Sequence, residues 1–267
     1  MHLYTPDLLL PYRHATWRTT TQPQTQLWEQ SDSEYLYTTN QRVQSDRWYY
    51  NNHDVTYIWN TNGYRAPEWA TVDWSHTWII MGCSLVVGVG LAFEDTLAER
   101  LAPLLEAPVV NLGMGGAGVD VMMYNSLRLL DSGIRPRGVI LVTPELTRMT
   151  YWHMDCPVNC LAQGLDHIEP ARVQDTYRGY MSYPPHAELS GYMRLRGLEA
   201  LWQGHTPTHT AYWTKPSDAG LAHGLHLPPQ QDWARDVNTQ NGVITGHPGR
   251  LTMAHWARAL AEVIQSS

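Results

Sequence analysis

Between Trp78 and Pro144 the chain repeats one pattern. Trp78-Ile-Ile-Met-Gly82, Ala107-Pro-Val-Val-Asn-Leu-Gly113 and Gly138-Val-Ile-Leu-Val-Thr-Pro144 are short apolar runs of strand-forming residues. Between them, Phe93–Glu106 and Gly118–Gly133 carry apolar residues at helical spacing, the first stopped near Pro108 and the second at Gly133. Strands separated by single helices join as parallel neighbours through right-handed crossovers, with helices covering both faces of the sheet. A third helix over His186–Gln203, a fourth strand over Thr208–Trp213 and a closing helix over Gly249–Ile264 extend the series. The expected fold is therefore α/β, a three-layer α/β/α arrangement around a mostly parallel sheet of about five strands. Two loop-like stretches, residues 150–186 and 215–246, fall near the carboxyl ends of strands, where long loops usually carry function.

Residues 1–75 read differently, as an irregular or β-rich extension to an α/β domain over 76–267. Ser33-Glu-Tyr-Leu-Tyr-Thr-Thr39 and His53-Asp-Val-Thr-Tyr-Ile-Trp59 suit short strands, and Asn62-Gly63 marks a turn. Of the chain's aromatic residues 12 are Trp and 15 are Tyr but only one is Phe, a balance that suits stacking on sugars as well as core packing.

Several function classes are excluded or left without support. A net charge of −7 gives no basic footprint for nucleic acid. No run approaches the ~20 apolar residues of a membrane helix, so no membrane span is expected. The start, Met1-His-Leu-Tyr-Thr-Pro-Asp-Leu-Leu-Leu-Pro11, lacks the basic residues and small-residue cleavage site of a signal peptide. Compartment and oligomeric state stay open. The cysteines are Cys83, Cys156 and Cys160. With His153 and His167 the last two could form a zinc set, but the spacing matches no strong motif; a Cys156–Cys160 disulfide ranks above metal, and free thiols above both. The glycine run Gly113-Met-Gly115-Gly116-Ala-Gly118 invites a dinucleotide reading, yet the acid at the right separation, Asp131, ends a helix instead of closing a second strand. No metal and no cofactor are expected.

The chemistry-bearing residues gather at three strand ends, which converge on one crevice in a doubly wound sheet. The first strand ends in Gly82-Cys83-Ser84, the second in the glycine run, the third in Thr143-Pro-Glu145-Leu-Thr147-Arg148. A serine after a strand is most often a turn residue. It becomes a nucleophile where a base takes its proton and donors hold the developing oxyanion. Of 13 histidines, His247 stands out because Pro248 stiffens its loop just before the last helix, whereas His255 lies inside that helix.

This ordered set resembles the SGNH, or GDSL, hydrolase superfamily. The shared features are an apolar strand into Gly-x-Ser, a Val110-Asn111-Leu-Gly113 strand into a glycine turn, a late histidine followed by proline, and the lead-in Asn60-Thr-Asn-Gly63-Tyr64-Arg65. The likeness runs from about Asn60 to Ile264. It implies an SGNH/flavodoxin-like fold and a serine esterase with a covalent acyl-enzyme intermediate. Ser84 would be the nucleophile and, through its N–H, one oxyanion donor; Gly116 N–H would be a second, and His247 the general base.

The chain departs from the family pattern in three places. Cys83 replaces the aspartate before the serine and admits a rival in which Cys83 itself reacts, although strand alternation points it away from Ser84. The third-block asparagine is absent; its slot falls near Leu146, leaving Thr147 as the expected third donor, with Arg148 as an alternative unless it pairs with Glu145. Ile244 stands three before His247 where an aspartate is usual, so Asp236 is the expected acid across eight extra residues, with Asp232 or a backbone carbonyl as alternatives. The expected substrate is a small-molecule or carbohydrate ester such as an O-acetyl group. An O-acyltransferase, or a catalytically degenerate module that binds glycan or protein, is the alternative.

Overall fold

The computed structural model describes residues 23–29, 31–153, 156–160, 171–216, 218–240 and 243–267. In chain order the elements are β1 (Gln24–Gln26), α1 (Glu34–Val43), β2 (Tyr57–Trp59), β3 (Trp78–Gly82), α2 (Ser84–Val87), α3 (Leu97–Leu105), β4 (Val109–Gly113) and α4 (Val119–Asp131). There follow β5 (Gly138–Thr143), β6 (Met149–His153), β7 (Cys156–Cys160), α5 (Ala171–Tyr180), α6 (Pro184–Trp202), β8 (Thr208–Tyr212), β9 (Leu225–His226), β10 (Asn238–Gln240), β11 (Val243–Thr245) and α7 (Arg250–Gln265).

Five strands form one parallel sheet in the order β4-β3-β5-β8-β9. Ranked by their sequence, that is 2-1-3-4-5, the doubly wound flavodoxin-like order whose ligand crevice opens where the winding reverses, at the carboxyl end of the first strand. Here that strand is β3, and Ser84 lies two residues beyond its end.

Period-two alternation along β3 and β5 divides the core. Ile79, Met81, Val139 and Leu141 face α4 and α6, meeting Val121, Met122, Leu129, Leu195, Leu198 and Trp202. Ile80, Ile140 and Val142 face α3 and α7, meeting Leu97, Leu101, Trp256 and Leu260. Each of these fully buried side chains contributes about 1.5–3 kcal/mol by leaving water. The sheet is consequently rigid under the site.

The expected strands and helices between 78 and 144 form where the pattern put them. Three differences have clear causes. Glu34–Thr39 is helical, as part of α1, with Ser33 as its cap: the Ser33 hydroxyl accepts the Leu36 N–H at 3.3 Å, and Glu34 and Arg42 sit at the ends that suit their charges. Two turns of alternating residues mimicked a strand there. The stretch 150–186 holds the β6–β7 hairpin and α5, and 215–246 supplies the fifth sheet strand, β9, and a β10–β11 hairpin. Tyr50, Tyr57, Trp59, Tyr64 and Trp69 are all buried in the same core as the α4 face of the sheet, so these rings pack and do not present faces to a ligand. Among the described residues no helix is long and apolar enough to cross a membrane.

Candidate active site

The turn that carries Ser84 is shaped by close approaches. A Cβ on Gly82 would lie 2.5 Å from Val86 Cγ2 and 2.8 Å from the Val142 carbonyl, and one on Gly113 would lie 2.6 Å from Val87 N. Glycine lets α2, a single turn, drop between the ends of β4 and β5. Asn111 fastens it: its Nδ2 donates to Val86 O at 2.6 Å, and its Oδ1 accepts Gly113 N–H at 2.9 Å. The helix ends at Gly88 in the left-handed region (φ 77°). Arg65 secures the segment beyond it. Its buried guanidinium donates to Gly88 O and Leu91 O, both at 2.8 Å, and to Thr56 O at 3.0 Å. Burial lowers its pKa to about 10, which leaves the charge in place near neutral pH. The Asn60–Arg65 lead-in is thus a device for holding the backbone behind the serine.

His247 meets Ser84 from the other end of the chain. Its Nε2 lies 2.8 Å from Ser84 Oγ. Its Nδ1 lies 2.6 Å from Asp236 Oδ2, and its backbone N–H donates to Asp236 Oδ1 at 3.0 Å. The eight extra residues are accounted for by the β10–β11 hairpin, which pairs Asn238 with Thr245. Continuing that antiparallel register by two residues sets Asp236 opposite His247 across the hairpin's mouth. The Asp236 carboxyl is fully buried. Burial alone would raise its pKa, but the facing imidazole, the two His247 N–H groups and the Ser31 hydroxyl together hold it below the usual carboxylate range. An ionised Asp236 fixes the proton on Nδ1 and leaves the Nε2 lone pair to accept from Ser84.

Asp232, the second choice for the acid, does other work. Its carboxylate accepts Leu251 N–H at 3.1 Å, Thr252 N–H at 2.9 Å and the Thr252 hydroxyl at 2.8 Å, capping α7. Cys83 is buried against Leu85, Val86 and Val142 and is a free thiol. The two residues lie beyond the strand, Cys83 as the N-cap of α2 and Ser84 as its first residue, so strand alternation does not apply to them, and it is Ser84 that His247 meets.

Gly116 adopts φ 71° in the turn closed by Ala117 N–H to Met114 O at 3.0 Å. Among the described residues no protein acceptor bonds the N–H of Gly116 or of Ser84. Thr147 is half-buried after β5, and its carbonyl accepts the Tyr177 hydroxyl at 3.5 Å. Arg148 is buried and ion-paired with Glu145. Burial pulls its pKa down, but Cys83, Glu145 and Tyr177 more than offset that and raise it, so it stays charged. The loops after β4 and β5 touch each other, where a Cβ on Gly118 would lie 3.0 Å from Arg148 O. Gly113 and Gly118 therefore serve close backbone packing. Asp131 ends α4, before β5 begins.

Cys160 is buried, and burial pushes its thiol pKa up to about 11. Among the described residues no three His, Cys, Asp or Glu side chains gather as metal ligands; His167, part of the zinc reading, lies outside those residues, as do the first 22 residues of the chain.

Among solved structures, the chain is similar to a G-D-S-L-family lipolytic protein from Desulfitobacterium hafniense DCB-2, with a TM-score of 0.33, 11% identity, and coverage of 71% of this chain and 99% of that one. It is also similar to a carbohydrate esterase family 2 enzyme plus carbohydrate binding domain from Corynascus thermopiles (Myceliophthora fergusii), with a TM-score of 0.35, 15% identity, and coverage of 75% and 67%. No protein-family model matches the chain, and no curated protein matches it. At this degree of likeness the functional reading has to come from the side chains themselves.

One group of residues escaped the sequence reading. Ser31 Oγ donates to Asp236 Oδ2 at 2.5 Å. Asp32 forms a buried two-bond pair with Arg235, at 2.8 Å to Nε and 2.7 Å to Nη2. Asn40 Nδ2 reaches Arg235 O at 3.1 Å and Val237 O at 2.7 Å, and Arg235 lies over Trp28 at 4.3 Å. Tyr57 donates to Asp32 at 2.5 Å and accepts Gly90 N–H at 2.7 Å. The region from Trp28 to Tyr57 thereby grips the residues before and after Asp236. Asn, Asp and Ser scattered through a polar stretch carry no spacing signal that would single them out.

Proposed function

We propose that the chain is a serine ester hydrolase in which Ser84 is the nucleophile, His247 the general base and Asp236 the orienting acid. The observation that carries this is one unbroken hydrogen-bonded chain, Ser84 Oγ to His247 Nε2 at 2.8 Å and His247 Nδ1 to Asp236 Oδ2 at 2.6 Å. Proton transfer demands such distances. It also sits at the point of the sheet where ligands enter folds of this winding.

In this mechanism Nε2 takes the Ser84 proton as Oγ attacks the ester carbonyl carbon. The carbonyl π electrons move onto oxygen, which the N–H groups of Ser84 and Gly116 and the Thr147 hydroxyl stabilise. The imidazolium, supported by Asp236, returns the proton to the departing alkoxide, leaving an acyl-serine. Water attacks that acyl group with His247 again as base and releases the acid. Arg148 is held by Glu145 in this scheme and takes no part in binding the oxyanion.

The proposed substrate is a short-chain ester, with a carbohydrate O-acetyl group as the class to test. With five aromatic rings committed to the core, support for a sugar rests on a cavity of about 380 Å³ lined in part by Trp48, Tyr49, Trp233, Arg47 and Arg250. It adjoins the His247 loop, where Trp233 pairs with Pro248. Tyr49 is already stacked by His53 and covered by Arg250, so the polar groups Arg47, Gln44 and Asp232 and the half-buried Trp48 and Trp233 rings are what this cavity offers a hydroxyl-rich ligand.

The test is labelling by a fluorophosphonate, with the modified residue found by peptide mapping, together with turnover of p-nitrophenyl acetate, butyrate and decanoate and of an O-acetylated polysaccharide. Ser84 labelling and turnover that falls with acyl length support the proposal. No labelling and no turnover, with retained glycan binding, would replace it by the non-catalytic module; product formation only with an added alcohol acceptor would replace hydrolysis by acyl transfer.

A further inference from the structure

We infer that Ser31 is a positioning residue of this site: its hydroxyl, delivered by the N-terminal segment, fixes the Asp236 carboxylate and so tunes how tightly His247 holds a proton. The inference rests on the reading of Ser84, His247 and Asp236 given above.

The geometry is specific. Ser31 Oγ donates to Asp236 Oδ2 at 2.5 Å, the same oxygen that faces His247 Nδ1 at 2.6 Å, and Oγ itself lies 3.4 Å from Nδ1. With His247 N–H on Oδ1 at 3.0 Å, the buried carboxylate has three donors and neither oxygen is bare. A donor on Oδ2 draws negative charge from the oxygen that stabilises the imidazolium, and it also prevents the carboxylate from rotating.

Ser31 is an exposed residue, but the backbone around it is fixed. Glu29 and Asp32 exchange two backbone hydrogen bonds of 2.9 Å and close the turn that presents it. The next residue, Asp32, is locked to Arg235, and Arg235 precedes Asp236. Two adjacent residues of one segment thus hold two adjacent residues of another, 205 and 203 positions away. Among the described residues, the titratable groups around the pair include Tyr50, on which Asp232, Asp95 and Asp236 all act, and the Asp32–Arg235 pair. None of them changes when Ser31 is replaced.

The experiment compares the full chain with Ser31→Ala and Ser31→Thr by three readouts: an NMR titration of the His247 ring, kcat and KM for p-nitrophenyl acetate against pH, and the thermal midpoint. Ser31→Ala is expected to raise the pH at which His247 loses its proton by about half a unit. It should lower kcat several-fold below neutral pH with KM unchanged. The thermal midpoint should barely move, since the Asp32–Arg235 pair is intact, and Ser31→Thr, which keeps the hydroxyl, should restore the wild-type titration. A His247 that titrates alike in all three proteins, or a Ser31→Thr that behaves like Ser31→Ala, overturns the inference. The NMR readout needs no turnover, so a wild type without Ser84-dependent activity would sink the esterase reading while the titration still decides the role of Ser31.

Discussion

Ser84 is held by residues close to it in sequence or in neighbouring strands, whereas Asp236 is held by side chains from the far end of the chain. The serine's turn is dictated by Gly82, Gly113 and Asn111, and each of these contacts belongs to the sheet's own winding. The acid's seat is assembled from Ser31, Asp32, Asn40 and Tyr57, outside the sheet. Backbone shape does the first task and a polar network does the second. The Ser84 side draws on the N-terminal region only behind its turn, where Arg65 and Tyr57 bond the backbone at Gly88, Gly90 and Leu91, whereas Asp236 takes its direct side-chain partner Ser31 from that region.

Substitutions on the two sides separate these roles. Ser84→Ala is expected to cut ester turnover by about 10⁴-fold or more with no loss of stability, because the glycine contacts and the Asn111 hydrogen bonds that shape that turn do not use the Ser84 hydroxyl. A large fall in thermal midpoint would break the contrast. Asp236→Asn should cost about 10³–10⁴-fold in kcat by presenting the wrong tautomer of His247. It should also flatten the acid limb of stability. A carboxylate whose folded pKa is depressed contributes stability above its unfolded value of about 3.9, and that contribution is lost as pH falls through the lower folded value; urea unfolding between neutral pH and the acid range measures it.

Asp32→Ala leaves Arg235 buried without its partner, at a cost of about 3–5 kcal/mol in urea unfolding. Activity should fall with it, since the adjoining Asp236 loses its fixed backbone. Replacing Asp32 and Arg235 together by apolar residues should recover much of the stability but not the activity. Thr147→Val should cost about 10²-fold in kcat at unchanged KM, the loss of one oxyanion donor. A Thr147→Val enzyme as fast as wild type would leave the oxyanion to Ser84 and Gly116 alone.

Legibility in the sequence followed the same division. The strands from Trp78 to Thr143 and the helices between them were readable because burial on both faces and helical periodicity are local signals. Ser84 and His247 were readable as positions, one at a strand end and one before the last helix. Asp236 was reached only as a candidate, because what brings it to His247 is the pairing of β10 with β11, a register that composition does not encode. Ser31 and the Asp32–Arg235 pair were invisible: an ion pair spanning 203 positions leaves no periodicity. The helix α1 was misread because Tyr35, Leu36 and Tyr37 look like strand formers when the cap at Ser33 is ignored.

The hairpin between Asp236 and His247 has an evolutionary corollary. A ribbon that starts and finishes at the same two facing positions can lengthen or shorten at its tip, by matched additions to both arms, without moving either end. The interval between such an acid and such a base is then a free variable, and a search that insists on a constant interval will pass over proteins with the same constellation. Single-residue additions to one arm are the forbidden class, since they would turn one of the two side chains to the opposite side of the ribbon.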